Sequence, residues 1–281
     1  MHLRCGKFQL SLARPLIMGV VNITPDSFSD GGKFFELQQA RDHAETLIAE
    51  GADVLDIGGE STRPGAAPVS LEEERRRVLP LLEHFAGRNI PISIDTHKPA
   101  LMRDAVAAGA AMVNDVSGFR NAEDFEAVAD SDTGICIMHM QGEPRTMQQN
   151  PRYDNVTGEV RDYLATRVMA AEAAGIARER IVIDPGFGFG KTLAHNLKLL
   201  RELREIGSIG CAVLAGLSRK SMLGKITGRD TAERIHASVA AALIAVQNGA
   251  HIVRVHDVAA TRDALAIWEA VRQNAGVHTA D

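Results

Sequence analysis

No stretch of this 281-residue chain is apolar for the ~20 residues that a membrane-spanning helix needs, so no membrane partner is expected. Its first residues, Met1-His2-Leu3-Arg4-Cys5-Gly6, hold no long apolar segment and do not read as a signal peptide. Cysteine is scarce. Cys5, Cys136 and Cys211 are odd in number, far apart and in no paired motif, which excludes a disulfide framework and implies a reduced, cytoplasmic protein with structural thiols. There is no run of Lys and Arg and no basic patch interleaved with aromatics, and the net charge is −5. Nothing therefore points to a nucleic-acid partner, and none is expected.

What the chain does have is organised around Ile181-Val182-Ile183-Asp184-Pro185-Gly186-Phe187-Gly188-Phe189-Gly190-Lys191. The β-branched start reads as a buried strand, ending on a carboxylate where Pro185 stops it. A glycine loop follows, then a helical pattern from Leu193. Asp184 thus stands at the carboxyl end of an interior strand, either facing a ligand or capping the loop. The Gly190-Lys191-Thr192 triplet resembles a nucleotide phosphate loop, but that motif needs glycine where Pro185 stands, so the reading is rejected.

The same alternation runs along the chain. Apolar runs at 16–22, 54–59, 92–95, 112–115, 135–138, 181–184, 212–218 and 252–256 alternate with helix-period segments such as 37–50, 71–85, 100–108 and 155–174, and 260–274 closes the series. Gly51, Gly109, Gly175 and Gly249 stand where helices end. Alternating strands and helices predict a parallel sheet, and eight units in one domain over 1–281 predict a closed (β/α)8 barrel, with its site at the carboxyl ends of the strands. A doubly wound open sheet is the alternative.

Polar residues crowd those strand ends. Period-two parity puts Arg254 and His256 on one face and His251 on the other, turns His139 away from Met138, and gives Asp115 a structural role. Strand eight of a barrel neighbours strand one. Asn22, Arg63, Arg254 and His256 then form a cationic, amide-rich half of the mouth, suited to an anion such as a phosphate chain. Asp95, Asn114, Met138, Asp184 and Lys220 form the other half, suited to a flat heterocycle presenting several N–H donors. Asp56 aligns with Val54 and Gly58. Segments 23–36 and 60–68 have the composition of mobile loops. A zinc hydrolase would need a histidine cluster where strand one offers only Asn22. No serine–histidine–carboxylate set is suggested, and no cysteine sits at a strand end.

At these residues the chain resembles the dihydropteroate synthase family, from Met18 to Asp257. The motifs are Asn22-Ile23-Thr24-Pro25-Asp26-Ser27-Phe28-Ser29-Asp30-Gly31-Gly32, Asp56-Ile57-Gly58-Gly59-Glu60-Ser61-Thr62-Arg63-Pro64-Gly65, Asp95-Thr96, Asn114-Asp115, the Asp184 to Lys191 stretch, Ser218-Arg219-Lys220-Ser221 and Arg254-Val255-His256-Asp257. The resemblance implies a (β/α)8 barrel, a homodimer packed through its last helices, and sulfonamide binding. It implies a transferase that joins 6-hydroxymethyl-7,8-dihydropterin diphosphate to 4-aminobenzoate with Mg²⁺. It also implies roles: Asp95, Asn114, Asp184 and Lys220 for the pterin, with Met138 on the ring and Asp56 alongside; Asn22 for magnesium and diphosphate; Ser61, Thr62, Arg63, Arg254 and His256 for the diphosphate. Phe28, Thr62, Pro64, Phe189 and Ser221 are implied for 4-aminobenzoate, and Asp30 for the first mobile loop. Asn22, Asp30, Arg63, Lys220, Arg254 and His256 are the implied catalytic set. A pterin-binding methyltransferase domain and a non-catalytic pterin-binding paralogue share the pterin face. The 24–32, 61–65 and 218–221 segments speak against the first, and the complete site residues against the second.

Overall fold

The structure, a computed structural model, describes residues 1–23, 32–61, 67–143 and 146–274, with backbone alone at 32–36 and at 274. Eight parallel strands close into a barrel: β3 (Leu16–Asn22), β4 (Val54–Gly58), β5 (Ile92–Asp95), β6 (Met112–Asp115), β7 (Gly134–Met138), β8 (Ile181–Asp184), β9 (Ala212–Ala215) and β10 (Ile252–Val255), with β10 pairing β3 to shut the ring. The strands lack an apolar–polar alternation because both faces are covered. Leu16, Met18, Val54, Met112, Cys136, Val182, Leu214 and Ile252 fill the interior. Ile17, Val21, Leu55, Ile57, Ile94 and Val253 pack on one arc of the helix layer, and Val113, Ile135, Ile183 and Val213 on the rest.

The helices between these strands include α1 (Gly32–Ala49), α2 (Leu71–Phe85), α3 (Pro99–Ala107), α5 (Val156–Ala173), α6 (Leu193–Arg201), α8 (Ser221–Thr227), α9 (Ile235–Gln247) and α10 (Val258–Asn274), with short α4 (Ala122–Glu126) and α7 (Leu203–Gly207). The start of α2 is written in its sequence. Ser70 accepts from the Glu73 amide at 3.3 Å, and Glu72, Glu73 and Glu74 complement the positive end of the helix dipole. At the other helix ends Gly51, Gly109, Gly175 and Gly249 take φ of 95°, 94°, 88° and 105°, left-handed values that stop a helix at little cost only in glycine.

The barrel and the glycine stops agree with the sequence reading, and three features differ from it. First, α1 begins at Gly32, five residues before its apolar period becomes legible at Leu37, so part of the 23–36 loop segment is helix. Second, β4, β9 and β10 end earlier than the apolar runs that marked them, because the runs continue into the loops of the mouth. Third, the opening residues form an antiparallel hairpin, β1 (His2–Cys5) and β2 (Phe8–Ser11). Leu3, Cys5 and Leu12 join the interior cluster, so the hairpin plugs the floor of the barrel. A cavity of about 250 Å³ lies there, lined by Leu3, Ile181 and Cys211 among others, at the amino-terminal end of the strands and away from the polar mouth.

Candidate active site

Strand register fixes the level at which each side chain enters the mouth. Asn22 pairs with Gly58, Gly58 with Asp95, Asp95 with Asn114, and Met138 with Asp184. Gly58 opens a gap in this ring. A Cβ there would lie 3.6 Å from Asn22 Oδ1 and 3.5 Å from Asp95 Cβ. Asp56 sits one step lower on β4 and is fully buried. Its Oδ2 accepts from Arg254 Nε at 2.6 Å and from Asn114 Nδ2 at 3.1 Å. Arg254 Nη2 donates to Asp95 Oδ2 at 2.9 Å. Since Asp56 uses the Asn114 amide nitrogen, the amide oxygen is left as an acceptor for a ligand.

This pairing revises the division of the mouth into two halves. Arg254 was placed by ring order with the anion-binding residues, yet its guanidinium also lies against Asp56 and against Asp95 of the heterocycle half. Strand neighbourhood could not show this, because the bond to Asp56 reaches across β3 from β10 to β4. Burial opposes the Arg254 charge, but Asp56 and Asp95 outweigh it and hold the group protonated.

On the far side, Asp184 and Lys220 face each other across Gly216. A Cβ on Gly216 would stand 4.0 Å from Asp184 Oδ2 and 3.9 Å from Lys220 Nζ. Asp184 Oδ1 accepts from the Gly186 amide at 2.7 Å, so the loop-capping role and an open Oδ2 coexist. Burial raises the Asp184 carboxyl, against the pull of Lys220 and the Gly186 N–H. Burial also lowers Lys220, to about 8, against the pull of Asp184. Lys220 Nζ donates to the Phe187 carbonyl and lies 4.7 Å from the centre of the Phe189 ring. Met138 forms an apolar shelf with Val116, Met140, Met147 and Phe189.

Ser218 joins the site without having been assigned a task of its own. Its hydroxyl accepts from the His256 amide at 3.2 Å and lies 3.0 Å from His256 Nδ1, fixing the imidazole at the rim. The signal was available, since β9 and β10 are neighbours and both motifs follow their ends. Ser221 is exposed at the first position of α8, and Ser61 is half-buried where β4 leaves the barrel. Phe28, Asp30, Thr62, Arg63 and Pro64 lie outside the described residues. His139 packs away from the mouth, edge-on to Tyr163 at 4.9 Å between ring centres. Asp115 accepts from the Ser117 amide at 2.7 Å, the Ser117 hydroxyl at 2.7 Å and the Phe119 amide at 2.6 Å, which makes it a loop brace.

The mouth can therefore present acceptors from Asp95, Asn114 and Asp184 and an ammonium from Lys220 to a flat ring over Met138. Asn22 and His256 stand at the other side.

Comparison with known proteins gives one family match, to "Pterin binding enzyme", over residues 18–256. The chain is similar to a dihydropteroate synthase of Neisseria meningitidis serogroup C, 54% identical over 276 residues, covering 96% of this chain and 98% of that protein. Among solved structures it is similar to Burkholderia cenocepacia dihydropteroate synthase complexed with 7,8-dihydropteroate, at 53% identity and a TM-score of 0.89, covering 98% of this chain and 97% of that one. It is also similar to Xanthomonas albilineans dihydropteroate synthase with 4-aminobenzoic acid, at 51% identity and a TM-score of 0.91, covering 96% and 98%.

Proposed function

The chain belongs to the dihydropteroate synthase family of pterin binding enzymes, and from that premise we propose how its own residues divide the work. It is a transferase that condenses 6-hydroxymethyl-7,8-dihydropterin diphosphate with 4-aminobenzoate, giving 7,8-dihydropteroate and pyrophosphate. The observation that supports the pterin assignment best is the set of acceptors at one level of the barrel. Asp95, the Asn114 amide oxygen and Asp184 Oδ2 match the N–H donors of a pterin edge, and a carboxylate takes such an edge as it takes a guanidinium. Lys220 donates to the ring, Met138 packs on its face, and Asp56 fixes Asn114 and Arg254 from below.

We assign the diphosphate to His256, Ser61, Thr62 and Arg63, and to Arg254, which also pairs with Asp56 and Asp95. We assign Asp30, from the first loop segment, to the same task. Mg²⁺ fits Asn22. Its amide oxygen borders the gap at Gly58, and magnesium needs few protein oxygens when diphosphate and water supply the others. When bound, the ion adds charge stabilisation to the leaving diphosphate. This chain's residues orient the rest. Cations around the diphosphate favour carbon–oxygen cleavage, while Asp95, Asp184 and the Asn114 dipole suit the positive charge that develops on the pterin. The amine of 4-aminobenzoate is a neutral nucleophile near pH 7, so the site needs no activated serine or cysteine. Phe28, Thr62, Pro64, Phe189 and Ser221 form its pocket, the pocket we also assign to sulfonamides.

We assign the protein to the cytoplasm, supported by three buried free thiols. Among the described residues no helix is long and apolar enough to cross a membrane. A homodimer through the last helices is supported by exposed Ile244 on α9 and Ile267 and Val271 on α10, the last two about two-thirds exposed. The deciding assay is pyrophosphate release from the pterin diphosphate that depends on 4-aminobenzoate. Release without the amine, or none with it, would overturn the reading.

A further inference from the structure

Lys191 ends the stretch around which the chain is organised, and none of the binding assignments uses it. In a nucleotide phosphate loop the lysine of a Gly-Lys-Thr triplet reaches out to phosphate. Here the side chain folds back beneath its own loop and is 3% exposed. Its Nζ lies 3.0 Å from the Gly186 carbonyl oxygen, 2.9 Å from that of Phe189, 3.3 Å from that of His139 and 3.0 Å from His139 Nδ1. Burial above all pushes the His139 imidazole down to about 3, so the ring is neutral and offers Nδ1 as an acceptor; burial also pulls the Lys191 amine well below the usual lysine range, and its N–H groups donate in either protonation state.

The other carbonyls of the loop are held by side chains too. Phe187 is held by Lys220, Gly188 by Gln148, and Gly190 by the Tyr153 hydroxyl at 2.9 Å. The loop lies directly on the end of β7, where a Cβ on Gly186 would stand 1.9 Å from the His139 oxygen. The Asp184 backbone is anchored separately, by pairing with Met138 and by the His139 amide donating to its carbonyl at 2.9 Å, while its Oδ1 takes the Gly186 amide at 2.7 Å. Phe189 has no such strand support. Its amide donates to the Gly186 carbonyl at 3.1 Å, closing a turn whose two end carbonyls both accept from Lys191.

We propose that Lys191 is a positioning residue for the second substrate: its amine ties the Gly186 and Phe189 carbonyls to the end of β7 and so sets where the Phe189 ring stands. The inference rests on the assignment of Phe189 to the 4-aminobenzoate pocket. Steady-state kinetics at saturating pterin diphosphate, with Lys191→Met, Lys191→Gln and Phe189→Leu, test it. We expect the KM for 4-aminobenzoate to rise ~tenfold or more in Lys191→Met and by less in Lys191→Gln, which keeps two donors, while kcat and the calorimetric affinity for the pterin alcohol stay within about threefold. A loss confined to kcat, or an equal loss of pterin affinity, would make Lys191 a general prop and overturn the proposal. If Phe189→Leu raises KM and the lysine variants do not, the clamp falls alone. If Phe189→Leu leaves KM unchanged, the pocket assignment falls and takes the clamp with it. Should Lys191→Met not fold, Lys191→Gln decides by the same criterion; if neither folds, Lys191 determines the fold and the proposal fails.

Discussion

Arg254 and Asp56 stand 198 residues apart in the chain and 2.6 Å apart in the barrel. The same Asp56 oxygen accepts from Asn114, so one buried carboxylate oxygen links β4, β6 and β10 beneath the pterin-facing groups. Two donors converge on it from opposite sides. Removing its charge therefore affects a cation and a ligand-binding amide together.

Asp56→Asn should be both less stable and weaker in pterin binding. The new amide oxygen can still accept from Arg254 and Asn114, but it carries no charge, and Arg254 would keep Asp95 as its only ion-pair partner among the described residues. Breaking a buried pair from one side costs about 3 kcal/mol. Urea unfolding should show a loss of that order, and calorimetry with a pterin should show weaker binding. A variant as stable as the parent would mean that Asp56 contributes no net stabilisation.

Asp184→Asn should leave the fold intact and cripple pterin binding. The substitution preserves size, and the bond between the Gly186 amide and Oδ1 can persist to an amide oxygen. The facing Oδ2 becomes the problem, because an ionised acceptor is replaced by a neutral amide that can present unwanted donors. Bonds to charged groups contribute roughly 1.5–3 kcal/mol, so affinity should fall about tenfold to over a hundredfold. Unchanged affinity in a folded variant would sink the assignment of Asp184 to the pterin.

The pH profile of kcat/KM for the pterin diphosphate should be a narrow bell. Burial raises Asp95 to about 7, against the pull of Arg254, so its carboxylate is present above that pH and lost below it. Burial lowers Lys220 to about 8, so its ammonium is present below that pH and lost above it. Both charges coexist only between the two values, and kcat/KM reports groups of the free protein. Asp95→Asn should flatten the acid limb and Lys220→Met the alkaline limb. If each limb survives its variant, other groups set the profile.

Much of this site was legible as letters. A barrel places the carboxyl ends of its strands together, so Asp95, Asn114 and Asp184 could be gathered from strand order and parity alone. His139 and Asp115 were turned away from the mouth by the same parity. Partnerships between non-adjacent strands were not legible. Arg254 and Asp56 face inward from strands that do not pair, and only the tilt and diameter of the barrel decide that they touch. The floor hairpin was hidden for another reason, since strands of four residues are too short for a period to stand out from composition. Lys191 was read through the phosphate-loop motif it resembles, and the direction of a side chain beyond a glycine loop depends on φ values that sequence does not print.

The last prediction concerns the order in which the substrates bind. Of the residues assigned to the 4-aminobenzoate pocket, Phe189 and Ser221 are on the described rim. Ser221 is exposed, and Phe189 is half-buried with the Lys220 ammonium over its ring. The first amides of α8 can take a carboxylate. These contacts alone make a shallow site, because among the described residues only these two are assigned to the pocket. The remaining members, Phe28, Thr62 and Pro64, belong to segments that also carry Asp30 and Arg63, which we assign to the diphosphate side. Binding of diphosphate and Mg²⁺ should therefore bring the pocket together, and a ligand that needs the pocket should gain affinity only afterwards. We expect 4-aminobenzoate, and sulfonamides that mimic its amine and acidic end, to bind the free protein weakly. They should bind it much more tightly once pyrophosphate, Mg²⁺ and a pterin are present. Calorimetric titration under both conditions decides the matter; equal affinities would mean that the pocket is complete before the first substrate arrives.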